Sequence, residues 1–121
     1  MPMGLHLHDM FGPAYRSLAL LHTADHVPDM LPDPGAEAGF TLAEVDLQPP
    51  VPGSVEAALA DAGLGATITL TDVRPSPRDA QGAPLLNRIR TQSAELNTVI
   101  PSAFDAVLAV PTVTRDRTVR F

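Results

Sequence analysis

The chain has 121 residues, enough for one domain with one modest core. It carries no cysteine, which excludes disulfides, thiolate metal sites and cysteine nucleophiles. Its net charge of −6 argues against general nucleic-acid binding, and no apolar run approaches the roughly 20 residues a membrane helix needs. Aromatics make up only 4 %, so the core must be built from Leu, Val, Ile and Ala. Thirteen prolines imply much ordered loop or extended arm.

Charge is unevenly placed. Through Asp61 there are nine acids against Arg16; after it, five acids face seven arginines. Such polarity favours association of acidic with basic ends. The N-terminus lacks the basic start and apolar run of a signal peptide. The expectation is an intracellular protein, or one incorporated into an assembled particle.

Residues 1–12 contain the alternation Leu5-His6-Leu7-His8, which reads as an edge strand or extended arm. Pro13 suits the first position of a helix, where its missing amide donor costs nothing. Ala14 to His26 then places Tyr15, Leu18 and Leu21 near helical spacing, and Pro28 ends it. Pro28 to Gly39 reads as an acidic loop. Phe40 to Leu47 predicts a strand, with Phe40 and Leu42 sharing a face with Glu44 and Asp46. Pro49, Pro50 and Pro52 form a stiff connector.

The clearest pattern is Gly53 to Val73. Ser54 is a good helix N-cap, Glu56 lies where the helix dipole favours an acid, and Ala57 to Ala62 are helix formers apart from Asp61. Gly63 fits a left-handed stop. From Ala66 the period becomes two. Ala66, Ile68 and Leu70 read as the core face of a strand, packed on Val55 and Leu59, with Thr67, Thr69 and Thr71 towards solvent.

Pro75 to Pro84 is a second loop. Leu85, Leu86, Ile89, Leu96, Val99 and Ile100 favour a helix after Pro84; a strand over Leu86 to Thr91 is the alternative. Ala106 to Val113 reads as a buried strand, with Pro111 demoting its end. Residues 114–121 form a terminal strand or arm. Arg115, Arg117, Val119, Arg120 and Phe121 are its candidate interface residues, the arginines suited to the acidic Asp25 to Glu37 region of a neighbour. The fold class is therefore α+β: one domain with a small, mainly antiparallel sheet, two or three short helices and long Pro-rich loops.

No chemical motif is complete. The histidines come in pairs: His6 and His8 would share a strand face, His22 and His26 a helix face. Two such pairs could converge on zinc or another divalent transition metal, with Asp9 or Asp25 as base and Asp29 nearby. Gly63-Leu64-Gly65 follows a helix and precedes a strand, the reverse of a phosphate loop. Arg74, Arg78, Arg88 and Arg90 do not form one patch if their segment is helical. The sequence therefore favours a non-enzymatic interaction subunit of a homo- or hetero-oligomeric assembly, with a virion capsid or head–tail component as one form. The alternative is a small metal-dependent hydrolytic enzyme using the four histidines.

Overall fold

The computed structural model describes residues 2–118. Among these the fold is α+β, as expected: three short helices and seven strands in three small sheets. In chain order they are α1 (Met3–Phe11), a 3-10 turn (Gly12–Ala14), β1 (Leu18–His22), β2 (His26–Pro32), β3 (Phe40–Asp46), α2 (Val55–Asp61), β4 (Thr69–Asp72), β5 (Arg88–Thr91), β6 (Ala94–Asn97), α3 (Ile100–Ala103) and β7 (Ala106–Val110).

The organising helix forms as its sequence dictates. Ser54 is extended, and its hydroxyl accepts from the Ala57 amide at 3.1 Å. Gly63 takes φ +74°, the left-handed region a glycine enters without Cβ strain. Val55 and Leu59 face the core, together with Leu21, Val73, Ile89, Ile100 and Val107.

The central sheet has the order β1-β7-β4, with β1 parallel and β4 antiparallel to β7. Asp105 anchors its start. Its carboxylate accepts from the Ser17 amide at 2.8 Å, its own amide donates to the Ser17 carbonyl at 2.9 Å, and its carbonyl accepts from Val73 at 3.1 Å. Register fixes the faces. Ala19 pairs with Val107 and Leu21 with Ala109, all four buried. Thr71 and Thr69 pair with the same two β7 residues and share that inner side.

The expected faces of β4 are thus reversed. Leu70 lies opposite Leu108 on the outer side and is 67 % exposed; Ile68 is 70 % exposed. Thr69 and Thr71, read as solvated, point inward, because pairing with β7 rather than local hydropathy sets the orientation, while Thr67 precedes the strand and is exposed.

Three further expectations are corrected. The helix expected over Ala14 to His26 is instead β1, a turn and the start of β2; Leu18 and Leu21 satisfy helical spacing, but Ala19/Leu21 alternation against β7 wins. The acidic loop expected from Pro28 is largely the hairpin β2–β3, and Pro28 and Pro32 are tolerated because β2 has a single partner strand. The helix expected after Pro84 is the hairpin β5–β6 followed by the single turn of α3, with Gln92 at φ +55° making the reversal. The alternative strand through Thr91 is the one that forms.

The ends differ too. Residues 1–12, expected as an extended arm, hold helix α1. Its amides at Leu5 and His6 donate to the Pro2 carbonyl, and Gly12 ends it with its amide on the His8 carbonyl. Residues 112–118 have no helix or strand, and Arg115 and Arg117 are exposed. Val119, Arg120 and Phe121, the rest of the expected arm, lie outside the described residues.

Candidate functional site

The buried polar residues gather under the β5–β6 hairpin. Glu56, in the first turn of α2, is 2 % exposed; Arg90, on β5, is 8 % exposed. The Arg90 amide approaches a Glu56 carboxylate oxygen at 3.4 Å, and its Nε lies 3.9 Å from the other oxygen. The guanidinium also donates to the Ala24 carbonyl at 3.3 Å and to the Gln48 carbonyl. One side chain thus ties β5 to the turn after β1, to the residue leading into the proline connector and to α2. Burial pushes the Glu56 carboxyl up from its ordinary range, against the lowering pull of backbone amides and of Arg90.

His22 ends β1 beside this pair and is buried. Its imidazole hydrogen-bonds the backbone of Gln92. Burial first, then the Arg90 charge, hold its pKa below the ordinary histidine value. The ring therefore stays neutral at neutral pH, and its Nε2 has no hydrogen-bond partner among the described residues. The hairpin tip is fixed separately: Ser93 donates its amide at 3.2 Å, and its hydroxyl, to the Asp29 carboxylate on β2. That hydroxyl bond is the main reason the Asp29 carboxyl sits below its ordinary value.

Beside Arg90, a cleft of about 180 Å³ lies between the hairpin and the connector, edged by Gln48, Pro50, Ser93 and Glu95. Drug-sized ligand sites run to roughly 300–1,000 Å³, so this space is small for one. A larger open groove, about 490 Å³, lies at the edge of the central sheet along Arg16, Leu18, Leu70, Asp72, Arg74 and Asp105. Its charges are already engaged. Arg74 forms a bidentate pair with Asp72 at 2.9 and 2.6 Å, which holds the Asp72 carboxyl at about 2. Asp105 accepts from Ser17, and Arg16 donates to the Pro13 and Tyr15 carbonyls.

The histidines do not assemble as the sequence suggested. His6 and His8 are exposed on helix α1, roughly 200° apart around its axis at 3.6 residues per turn, instead of sharing a strand face. His22 and His26 lie on two different strands, not on one helix. His26 is exposed and pairs with Asp25 at 2.8 Å, which raises its pKa, while His22 is buried beside a cation. Among the described residues, no group of three or more His, Asp or Glu side chains is placed to hold a metal ion. The remaining arginines disperse as well: Arg78 donates to the Gly82 carbonyl and Arg88 lies 3.9 Å from Glu95. Among the described residues, no helix is long and apolar enough to cross a membrane.

Glu56 and Arg90 were not found by sequence reasoning. Glu56 matches a solvated first-turn acid, and Arg90 lies in a run assigned to the wrong element. The one available signal was Ile89-Arg90 within the alternative strand, next to the connector's prolines.

No family model matches the chain. It is nonetheless similar to ester hydrolases. Erythromycin esterase type II of Escherichia coli is 32 % identical over 110 residues, covering 91 % of this chain and 25 % of that protein. Erythromycin esterase type I of the same organism is 32 % identical over 118 residues, covering 95 % of this chain and 26 % of that protein. Among solved structures, a mutant of the erythromycin esterase EreC in its open conformation superposes with a TM-score of 0.83 at 30 % identity, over 99 % of this chain and 28 % of that one. The chain spans about a quarter of the length of the curated relatives it matches. These likenesses overturn the expectation of a non-enzymatic structural subunit or virion component. Relatives and structural neighbour alike are named as esterases, so the alternative of a hydrolytic enzyme fits better.

Proposed function

We propose that this chain is a supporting module of an ester hydrolase of the erythromycin esterase type, acting on erythromycin or a related ester together with the rest of such a protein. The observation that carries the reading is the continuous likeness over nearly the whole chain, at 30–32 % identity and a TM-score of 0.83, against only about a quarter of each relative. The residues at hand favour support over catalysis. Arg90 spends its donors on two carbonyls and Glu56, the geometry of a positioning residue rather than of a guanidinium free to meet substrate.

The test replaces the matching segment of erythromycin esterase type II with this chain and follows erythromycin hydrolysis by mass spectrometry. The chimera is expected to hydrolyse the drug well above the same enzyme lacking the segment, while the isolated chain hydrolyses none. Turnover by the isolated chain would refute the supporting role. A chimera no better than the deleted enzyme would refute the relationship to an esterase.

A further inference from the structure

The central sheet has two apolar faces, and its own chain covers only one. The inner face carries Ala19, Leu21, Val107 and Ala109, packed on Val55, Leu59 and Ile100. The outer face carries Leu18 and Leu20 of β1, Leu108 of β7 and Leu70 of β4, with Leu20 and Leu70 both opposite Leu108 in register. Leu18, Leu20 and Leu70 are 53 %, 69 % and 67 % exposed, and Ile68 just before β4 is 70 % exposed. Leucines thus run across three adjacent strands of one bare surface, whereas scattered single apolar residues would need no explanation.

We infer that this outer face seats the other three-quarters of an erythromycin-esterase-type protein, through an apolar layer supplied by that portion. The inference rests on the reading under Proposed function. Three observations commit it to this occupant. The sheet is mixed, but its β1–β7 pair is parallel, the pairing that in all-parallel sheets goes with cover on both faces. The relatives that share this fold are about four times longer, so they carry the material to cover it. The charges along the groove beside the face are satisfied within the chain, Arg74 by Asp72 and Asp105 by Ser17, and leave the leucines as its binding element. A second copy is the less favoured occupant, since each copy brings a net charge of −6.

The test compares Leu20→Asp and Leu70→Asp in two settings: the isolated chain, and the full-length chimera with erythromycin esterase type II. Both positions are exposed in the isolated chain, so its melting midpoint is expected to move by no more than about 2 °C. In the chimera each substitution is expected to lower the midpoint by about 5 °C or more and to depress hydrolysis. Should an aspartate chimera fail to fold, Leu70→Ala is expected to give a smaller drop that is again absent from the isolated chain. A folded, active chimera indifferent to both aspartates would overturn the inference alone. An isolated chain that dimerises through this face, with either aspartate restoring the monomer and leaving the chimera unmoved, would also overturn it and assign the face to a second copy. An unsubstituted chimera that neither folds nor hydrolyses would take down the functional reading and this inference together.

Discussion

Replacing Arg90 with Met removes the cation from a site that is nearly closed to water. Glu56 would keep 2 % exposure and lose its ion-pair partner at 3.9 Å; the Ala24 and Gln48 carbonyls would lose their guanidinium donors. Breaking a buried pair by removing one partner costs about 3–5 kcal/mol, a large share of the roughly 5–15 kcal/mol that holds a domain together. The cost should depend on pH in a defined sense. Burial already raises the Glu56 pKa, and Arg90 is among the groups that pull it back. Without Arg90 the folded-state pKa rises further, so the folded variant binds a proton that the unfolded chain does not. Its stability must then increase relative to wild type as pH falls from neutral towards the ordinary carboxylate range. Urea unfolding followed by circular dichroism at pH 7 and pH 5 checks this. The expected result is a large loss at pH 7 that shrinks at pH 5, with Arg90→Met/Glu56→Leu recovering much of it. A loss below about 1 kcal/mol at pH 7 would show that the pair is solvent-screened and the reasoning wrong. An equal loss at both pH values would show that the Glu56 carboxyl does not answer to Arg90.

Other substitutions probe separate parts of the fold. His22→Leu should flatten the acid side of the stability profile: the folded-state pKa lies below the ordinary value of 6.5, so the histidine's stability contribution is present above that value and is lost as pH falls through the folded one. Denaturant midpoints should fall more for wild type than for the variant between pH 7 and pH 5, and parallel profiles would contradict this. Ser54→Ala removes the cap of α2 and its bond to the Val51 carbonyl, at an expected cost of about 0.5–2 kcal/mol in thermal unfolding. Gly53→Ala puts a Cβ at φ +84° and 3.0 Å from Asn87 Oδ1, and should cost about 1–2 kcal/mol or more by the same assay. Leu21→Ala, at a fully buried position against β7, should cost about 2–5 kcal/mol.

Local patterns were legible wherever one segment settles its own structure. Ser54, Glu56 and Gly63 announced α2 because cap, dipole and stop act within a few residues. Phe40 to Leu47 read as a strand although Phe40 and Leu42 share a face with Glu44 and Asp46, and β3 forms there over Phe40–Asp46. Segments decided by pairing were harder. Leu18 to His22 carries leucines at positions compatible with both periods, and only β7, more than eighty residues later, selects the strand. The run from Leu85 to Ile100 shows helical spacing because two strands and a turn happen to place Ile89, Leu96 and Ile100 near it. The left-handed Gln92 that divides them is not a residue whose type demands that conformation.

The inverted face of β4 follows from the same cause and has a wider consequence. Reading one apolar side and one polar side assumes a sheet that meets water, the ordinary case for antiparallel strands. Here the central strand pairs in parallel on one side and antiparallel on the other, and apolar residues occupy both faces. Leu21 and Val107 face inward with the smaller Ala19, Ala109, Thr69 and Thr71, while Leu18, Leu20, Leu70 and Leu108 face outward. For a free-standing domain that distribution is costly, since burying a leucine contributes about 1.5–3 kcal/mol that exposure forgoes. It becomes economical only where the outer face is covered too. The misplaced faces in the sequence reading and the bare leucines in the structure therefore express one property, a sheet with an apolar requirement on each side. That property accords with likeness to proteins about four times its length.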